Sequence, residues 1–386
     1  MIKGLIEYKD SKIPFVIKDY KMELFSEDEL VFQFVKDNNL KNNYILNGKC
    51  YVSDNTPRKI TIMVEKSMGG TCDLTCYLID GINSEKKIDT IDFESKLLDS
   101  IFRYKYNYLD LSRAGFNLSL EQAEIYSLPF QIKDNDYTLK YIIGQNNSIG
   151  LLDSFKLCGK VSIDLHENCI EEFYKITLLL CRFIKFLTSF SDVTFERITL
   201  RSNSLNKAFF YCKYISDDFT IDLDIMFCKF DVQKYISPIL NNIALDLGAK
   251  ISKSIPLGHI SNYEKAYTPN RFIEQINAFE YLFEKLEPEK SKDRRFTLKN
   301  ELQFMFDVFP EVLSQSKTTS EEIAKDIKKL RINIVHGYEY YYDFTSNINA
   351  QRCIIRLADL IQRMSLKLIG FTNNEINEFR ESVLLF

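Results

Sequence analysis

The segment Leu330-Arg331-Ile332-Asn333-Ile334-Val335-His336-Gly337 holds the residues best suited to chemistry. An imidazole exchanges protons near neutral pH, so His336 is the candidate general acid and base. A guanidinium stays charged and grips phosphate in bidentate fashion, so Arg331 is the candidate stabiliser of charge developing on phosphate oxygens. Asn333, between them, is placed to orient such a group. Arg-x4-His alone is a short motif of low specificity, and its setting gives it weight. Ile332, Ile334 and Val335 are apolar and anchor the segment, while Gly337 stops it. Five residues turn a helix by about 140°, so Arg331 and His336 cannot stack on one face. They converge only if the helix bends or ends near Gly337, or if a second subunit brings its own pair.

The flanks add charge and rings. Lys325, Lys328 and Lys329 lie just upstream and are expected either to guide a phosphate backbone or simply to form a solvated face. Tyr338, Tyr340, Tyr341 and Tyr342 follow and would stack on unpaired bases or pack a protein seam.

The elements that must hold this segment are helices. From about Thr268 the apolar period becomes that of a helix. Pro269 opens the first helix, with Phe272, Ile276, Phe279, Leu282, Phe283 and Leu286 on one stripe. A charged loop is expected over Glu289–Arg295. A second helix covers about Thr297–Phe309. The third opens on a capping signal, Thr318 or Thr319 with Glu321 or Glu322, and runs to His336. The fourth covers about Asn349–Ile369, and a short fifth Glu375–Leu384. The C-terminal part, residues 268–386, therefore reads as a helical bundle.

The preceding residues, 1–265, read as β-rich. Short alternating runs occur at Asn43–Tyr51, Lys59–Glu65, Thr71–Ile79, Ser127–Ile132, Tyr137–Gly144, Lys160–Leu165, Val193–Arg201, Ala208–Ile215 and Phe219–Phe227. Two helices interrupt them, about Cys169–Phe190 and Val232–Leu247. The predicted class is α+β in two domains, as the length of 386 residues favours.

Other candidates have plainer explanations. Asp222 and Asp224 would suit a divalent cation, but they alternate with apolar residues as a half-buried strand requires. Asp164, His166 and Glu167 stand where a strand meets a helix, and helix N-termini attract acids anyway. His259 has no readable role. The nine Cys include no C-x-x-C pair, and Cys72 and Cys76 have no second pair at metal-ligand spacing. They read as reduced thiols of a cytoplasmic protein, and no metal or cofactor is expected. Hydrophobic residues make up 45%, as in a globular chain. A net charge of −4 argues against a protein that coats nucleic acid. No secretory leader is seen. The most apolar stretch, Ile176–Leu187, is too short and too charged to span a bilayer.

The order Leu330-Arg331-x-x-Ile334-Val335-His336-Gly337, preceded by Ala278-Phe279-Glu280 on an earlier bundle helix, resembles the HEPN superfamily. The β-rich region followed by a HEPN-like bundle resembles the ApeA-type proteins of antiphage defence. Many members carry a polar residue directly after the Arg, where this chain has Ile332, with Asn333 one step later. The resemblance implies a metal-independent endoribonuclease of abortive infection, with RNA (tRNA among the candidates) as substrate. It also implies a homodimer through the helical domain and a trigger bound by the N-terminal region. The order His336-Gly337-Tyr338 is similar to HEPN toxins whose Tyr is modified by a partner enzyme. A non-catalytic dimerisation or nucleotide-binding module is the other reading.

Overall fold

A computed structural model describes residues 1–26, 28–38, 44–52, 56–79, 88–95, 98, 101–102, 123–132, 134–145, 157–188, 193, 195–202, 207–213, 233–245, 268–314, 317–337 and 346–382. The chain is α+β and divides into two compact units. One holds residues 1–178 and 192–220, the other 179–191 and 221–386.

Among the described residues, twelve antiparallel strands form one sheet in the first unit, in the order β3-β2-β1-β4-β5-β6-β12-β11-β7-β10-β9-β8. They are β1 (Ile2–Tyr8), β2 (Ser11–Lys18), β3 (Lys21–Leu24), β4 (Tyr44–Tyr51), β5 (Pro57–Met68), β6 (Thr71–Ile79), β7 (Thr90–Glu94), β8 (Ala123–Ile132), β9 (Asn135–Gln145), β10 (Leu157–Asp164), β11 (Arg197–Arg201) and β12 (Lys207–Cys212). An added β3–β6 pairing, Met22 opposite Cys72, closes the first six strands into a barrel. Period-2 burial fills it: Ile13, Phe15 and Ile17 of β2 point in with Ile6, Ile60, Ile62 and Leu74. Helix α1 (Asp28–Asn38) adds Phe34 to this core. Strand β1 lies against β4 at Gly4 and Gly48, where a Cβ would meet a neighbouring carbonyl oxygen at 2.2 and 2.3 Å. Helix α2 (Ile170–Thr188) follows β10.

The predicted strands at Asn43–Tyr51, Lys59–Glu65, Thr71–Ile79, Ser127–Ile132, Tyr137–Gly144 and Lys160–Leu165 all fall on observed ones. Val193–Arg201 shortens to β11, and Ala208–Ile215 to β12. Phe219–Phe227, with Asp222 and Asp224, lies outside the described residues, as do His259 and most of the boundary near residue 265.

The second unit is helical where described: α3 (Gln233–Leu245), α4 (Pro269–Leu286), α5 (Pro288–Lys292), α6 (Leu298–Val308), α7 (Ser320–His336), α8 (Ile348–Leu368) and α9 (Asn373–Ser382), with a 3-10 turn at Pro310–Leu313. Helix α5 occupies part of the expected charged loop: Pro288 starts it and Lys290 and Lys292 pair back to Glu287 and Glu289. Phe272, Phe279, Leu282 and Phe283 of α4 are buried with Leu357, Leu360, Ile361 and Met364 of α8. Helix α3 belongs to this unit, with Tyr235 against Phe371 and its hydroxyl donating to Glu378. Among the described residues, no helix is long and apolar enough to cross a membrane.

Candidate functional site

Helix α7 carries the motif, and its start is built as the sequence predicts. The Thr319 hydroxyl accepts from the Glu322 N–H at 3.2 Å while the Glu322 carboxylate accepts from the Thr319 N–H at 2.9 Å. Ile323, Ala324, Ile327 and Leu330 are its buried stripe. It ends at Gly337, whose φ of +65° is left-handed and whose N–H reaches the carbonyls of Asn333 and Ile334.

The helix ends near Gly337 as expected, but Arg331 and His336 both lie within it. Arg331 is half-buried and faces α4, its guanidinium 4.0 Å from Glu280. His336 is exposed on the last turn, about 140° away around the axis. One chain therefore offers the two groups on different sides of α7. Asn333 is half-buried, and its backbone carbonyl accepts from the Gly337 N–H. Tyr338 and Tyr340 lie outside the described residues.

Glu301, on α6, was not singled out from sequence. Burial first, and then the charge of Glu280, push its carboxyl up to about 7. Glu280 thus stands between a cation, Arg331, and an acid that titrates near neutrality. The available signal is position: Glu301 lies four residues before Met305 and one before Leu302, on the margin of the buried stripe of α6.

The three predicted lysines fall in one place. Lys325, Lys328 and Lys329 line a cleft of about 1070 Å³, with Lys317, Thr318, Glu322, Asp326 and Ile332 beside them and Arg352 and Arg356 of α8 opposite. Arg352 donates to Thr318 Oγ at 3.5 Å, and Arg356 to the Val312 carbonyl. The two arginines, four residues apart on α8, could be read from sequence only as helix surface.

The remaining candidates have structural roles. The Glu172 carboxylate accepts the N–H groups of His166 and Glu167 at 3.1 and 2.6 Å and so ties the turn before α2 to the helix's first turn. Asp164 pairs with Lys140 at 3.2 Å. Cys72 and Cys76 are buried free thiols on β6, and burial pushes both up, Cys72 to about 11. Among the described residues no group of three or more His, Cys, Asp or Glu is placed to hold a metal.

Compared with protein-family models, curated proteins and solved structures, the chain finds no match.

Proposed function

We propose that this chain is a metal-independent endoribonuclease of the HEPN type, acting in the cytoplasm in antiphage defence by abortive infection. One observation carries the reading. The Arg-x4-His segment closes a capped helix in a helical unit, with His336 exposed at the helix end and Arg331 half-exposed beside Glu280. In this reading the RNA 2′-hydroxyl loses its proton and attacks the adjacent phosphorus. The bond to the 5′-oxygen breaks, that oxygen gains a proton, and a cyclic phosphate remains. His336 moves the proton. Arg331 neutralises charge on the non-bridging oxygens. Because the two groups lie on different sides of one helix, the site is completed by a second copy of the chain. The β-rich N-terminal region is the sensor of a trigger that releases activity.

The test is RNA cleavage with chelator present, comparing the parent chain with Arg331→Ala and His336→Ala, each alone and mixed. Cleavage that survives the chelator, falls by at least 100-fold in each variant and partly returns on mixing supports the proposal. Cleavage that persists in both variants refutes it.

The opposed positions of Arg331 and His336 favour a second reading, a non-catalytic helical module that dimerises or binds nucleotides within a defence assembly. It predicts a chain that binds RNA or nucleotide but stays silent in every cleavage assay, whatever trigger is supplied.

A further inference from the structure

We propose that the cleft lined by α7 and α8 binds the phosphodiester backbone of single-stranded nucleic acid, reading charge and not sequence. The cleft is lined by six cationic side chains, Lys317, Lys325, Lys328, Lys329, Arg352 and Arg356, against two carboxylates, Glu322 and Asp326. One of those carboxylates, Glu322, is engaged in the capping box of α7. Among the described residues none of the four lysines is in ion-pair contact with a carboxylate, and only Lys325 acts through its charge on one, Glu321. Elsewhere in the same unit lysines are paired locally: Lys299 with Glu321 at 2.6 Å and Lys292 with Glu289 at 3.3 Å. Like charges three and four residues apart, as in Lys325, Lys328 and Lys329, oppose helix formation by a few tenths of a kcal/mol per pair. The chain as a whole carries a net charge of −4. A concentrated positive cleft on an acidic protein is therefore a local device and not a consequence of composition.

The lining also says what kind of anion fits. Among the described residues that line it, Ile332 is the one apolar side chain and none is aromatic. Protein partners are held by apolar and aromatic anchors in pockets, and this cleft has almost none. Bases are held by aromatic stacking, which the described lining does not supply. What remains is three cations on α7, two on α8 and Lys317 just before α7, matched to a repeating negative charge. A cleft of about 1070 Å³ is the size of a site for one small ligand, which admits a short stretch of a single strand and not a duplex. The two arginines are held in advance by Thr318 and the Val312 carbonyl. Ile332 and His336 lie four residues apart on α7, so the track leads along the side of the helix that carries His336.

This deepens the ribonuclease reading and rests on it only in taking RNA as the natural ligand. The experiment measures binding separately from cleavage. Full-length protein with chelator is titrated into labelled oligo(U) RNA and oligo(dT) DNA over a range of potassium chloride, by fluorescence anisotropy. Both should bind, with log affinity falling linearly in log salt. The triple variant Lys325→Gln, Lys329→Gln, Arg352→Gln removes three phosphate contacts. At about 0.7 per contact its salt slope falls by about 2, and its affinity at 0.1 M salt falls by roughly 100-fold. The charge-preserving triple Lys325→Arg, Lys329→Arg, Arg352→Lys should retain binding, which separates charge from folding. Lys290→Gln with Lys292→Gln, outside the cleft, should change neither quantity. An unchanged slope and affinity in the first triple overturns the proposal. So does poly-glutamate binding as tightly as RNA and lost in the same triple, which would make this a site for an acidic protein. Binding that behaves as expected without any cleavage leaves the cleft standing and counts against the ribonuclease reading. Cleavage with no loss of affinity in the triple does the reverse.

Discussion

Replacing Glu301 by Gln should stabilise the protein at alkaline pH and leave it unchanged at acid pH. In the folded chain the Glu301 carboxyl is raised from 4.5 to about 7, first by burial and then by the charge of Glu280. The folded state therefore holds a proton that the unfolded state has lost across pH 4.5 to 7. Stability falls with rising pH wherever the folded state binds more protons. Below about 4.5 both states are protonated and nothing is lost. Above about 7 the full penalty applies. A shift of this size corresponds to about 3 kcal/mol at 1.36 kcal/mol per unit. Glu301 is only partly buried, so screening reduces this to roughly 1–2 kcal/mol. A Gln of the same shape carries no charge at any pH. The difference in unfolding free energy between Glu301→Gln and the parent should be near zero at pH 4.5 and grow to ~1–2 kcal/mol at pH 8. Urea unfolding at four pH values measures it. A variant equally or less stable than the parent at pH 8, or a difference that does not grow with pH, would refute the reasoning.

Two further substitutions probe the fold. Asp92 of β7 is buried, with Oδ2 3.0 Å from Lys160 and 2.6 Å from Arg201 Nε, the latter an ion contact without hydrogen-bond alignment. Asp92→Ala leaves two cations uncompensated in the sheet and should cost about 3–5 kcal/mol in chemical unfolding, whereas an effect under 1 kcal/mol would mean that solvent reaches this face. Gly337→Ala meets no atom within 4 Å but must adopt a φ of +65°. It should cost roughly 1–2 kcal/mol from backbone strain alone, and a neutral result in thermal unfolding would show that α7 can end differently.

The helical unit was readable from sequence because its signals are local. Pro269 at the first turn, the Thr319–Glu322 box and Gly337 mark helix ends within a few residues of where they lie. Much of the sheet was readable as well, since Gly69 and Gly70 mark the β5–β6 hairpin with positive φ. Strands β1 to β3 escaped notice because their turns use Lys9, Asp19 and Tyr20 in the left-handed region, where the usual glycine signal is missing. Strand β7 escaped because it is short: Ile91 and Phe93 are its only apolar positions, and the partners of its buried Asp92, Lys160 and Arg201, are remote in sequence. The same limit applies to the site. Arg331, His336 and the lysines were visible as residue types at a spacing. Glu301 and the two arginines of α8 matter only through what the packing sets beside them.

The geometry of α7 sets a condition on any catalytic account. Five residues along a helix rise about 7.5 Å and turn about 140°. The side chains of Arg331 and His336 therefore diverge, while the oxygens they would serve belong to one phosphate. Glu280, 4.0 Å from the guanidinium, draws Arg331 towards α4 and away from the side of His336. The cationic cleft lies on the His336 side, so a strand bound there meets the histidine first and finds no Arg331 from the same chain. Within the proposed ribonuclease reading, the arginine and the histidine come from different copies. For that reason the mixing of Arg331→Ala with His336→Ala discriminates more sharply than either variant alone. A mixed dimer regains one site with both groups intact, whereas two sites each complete within one chain would stay dead on mixing.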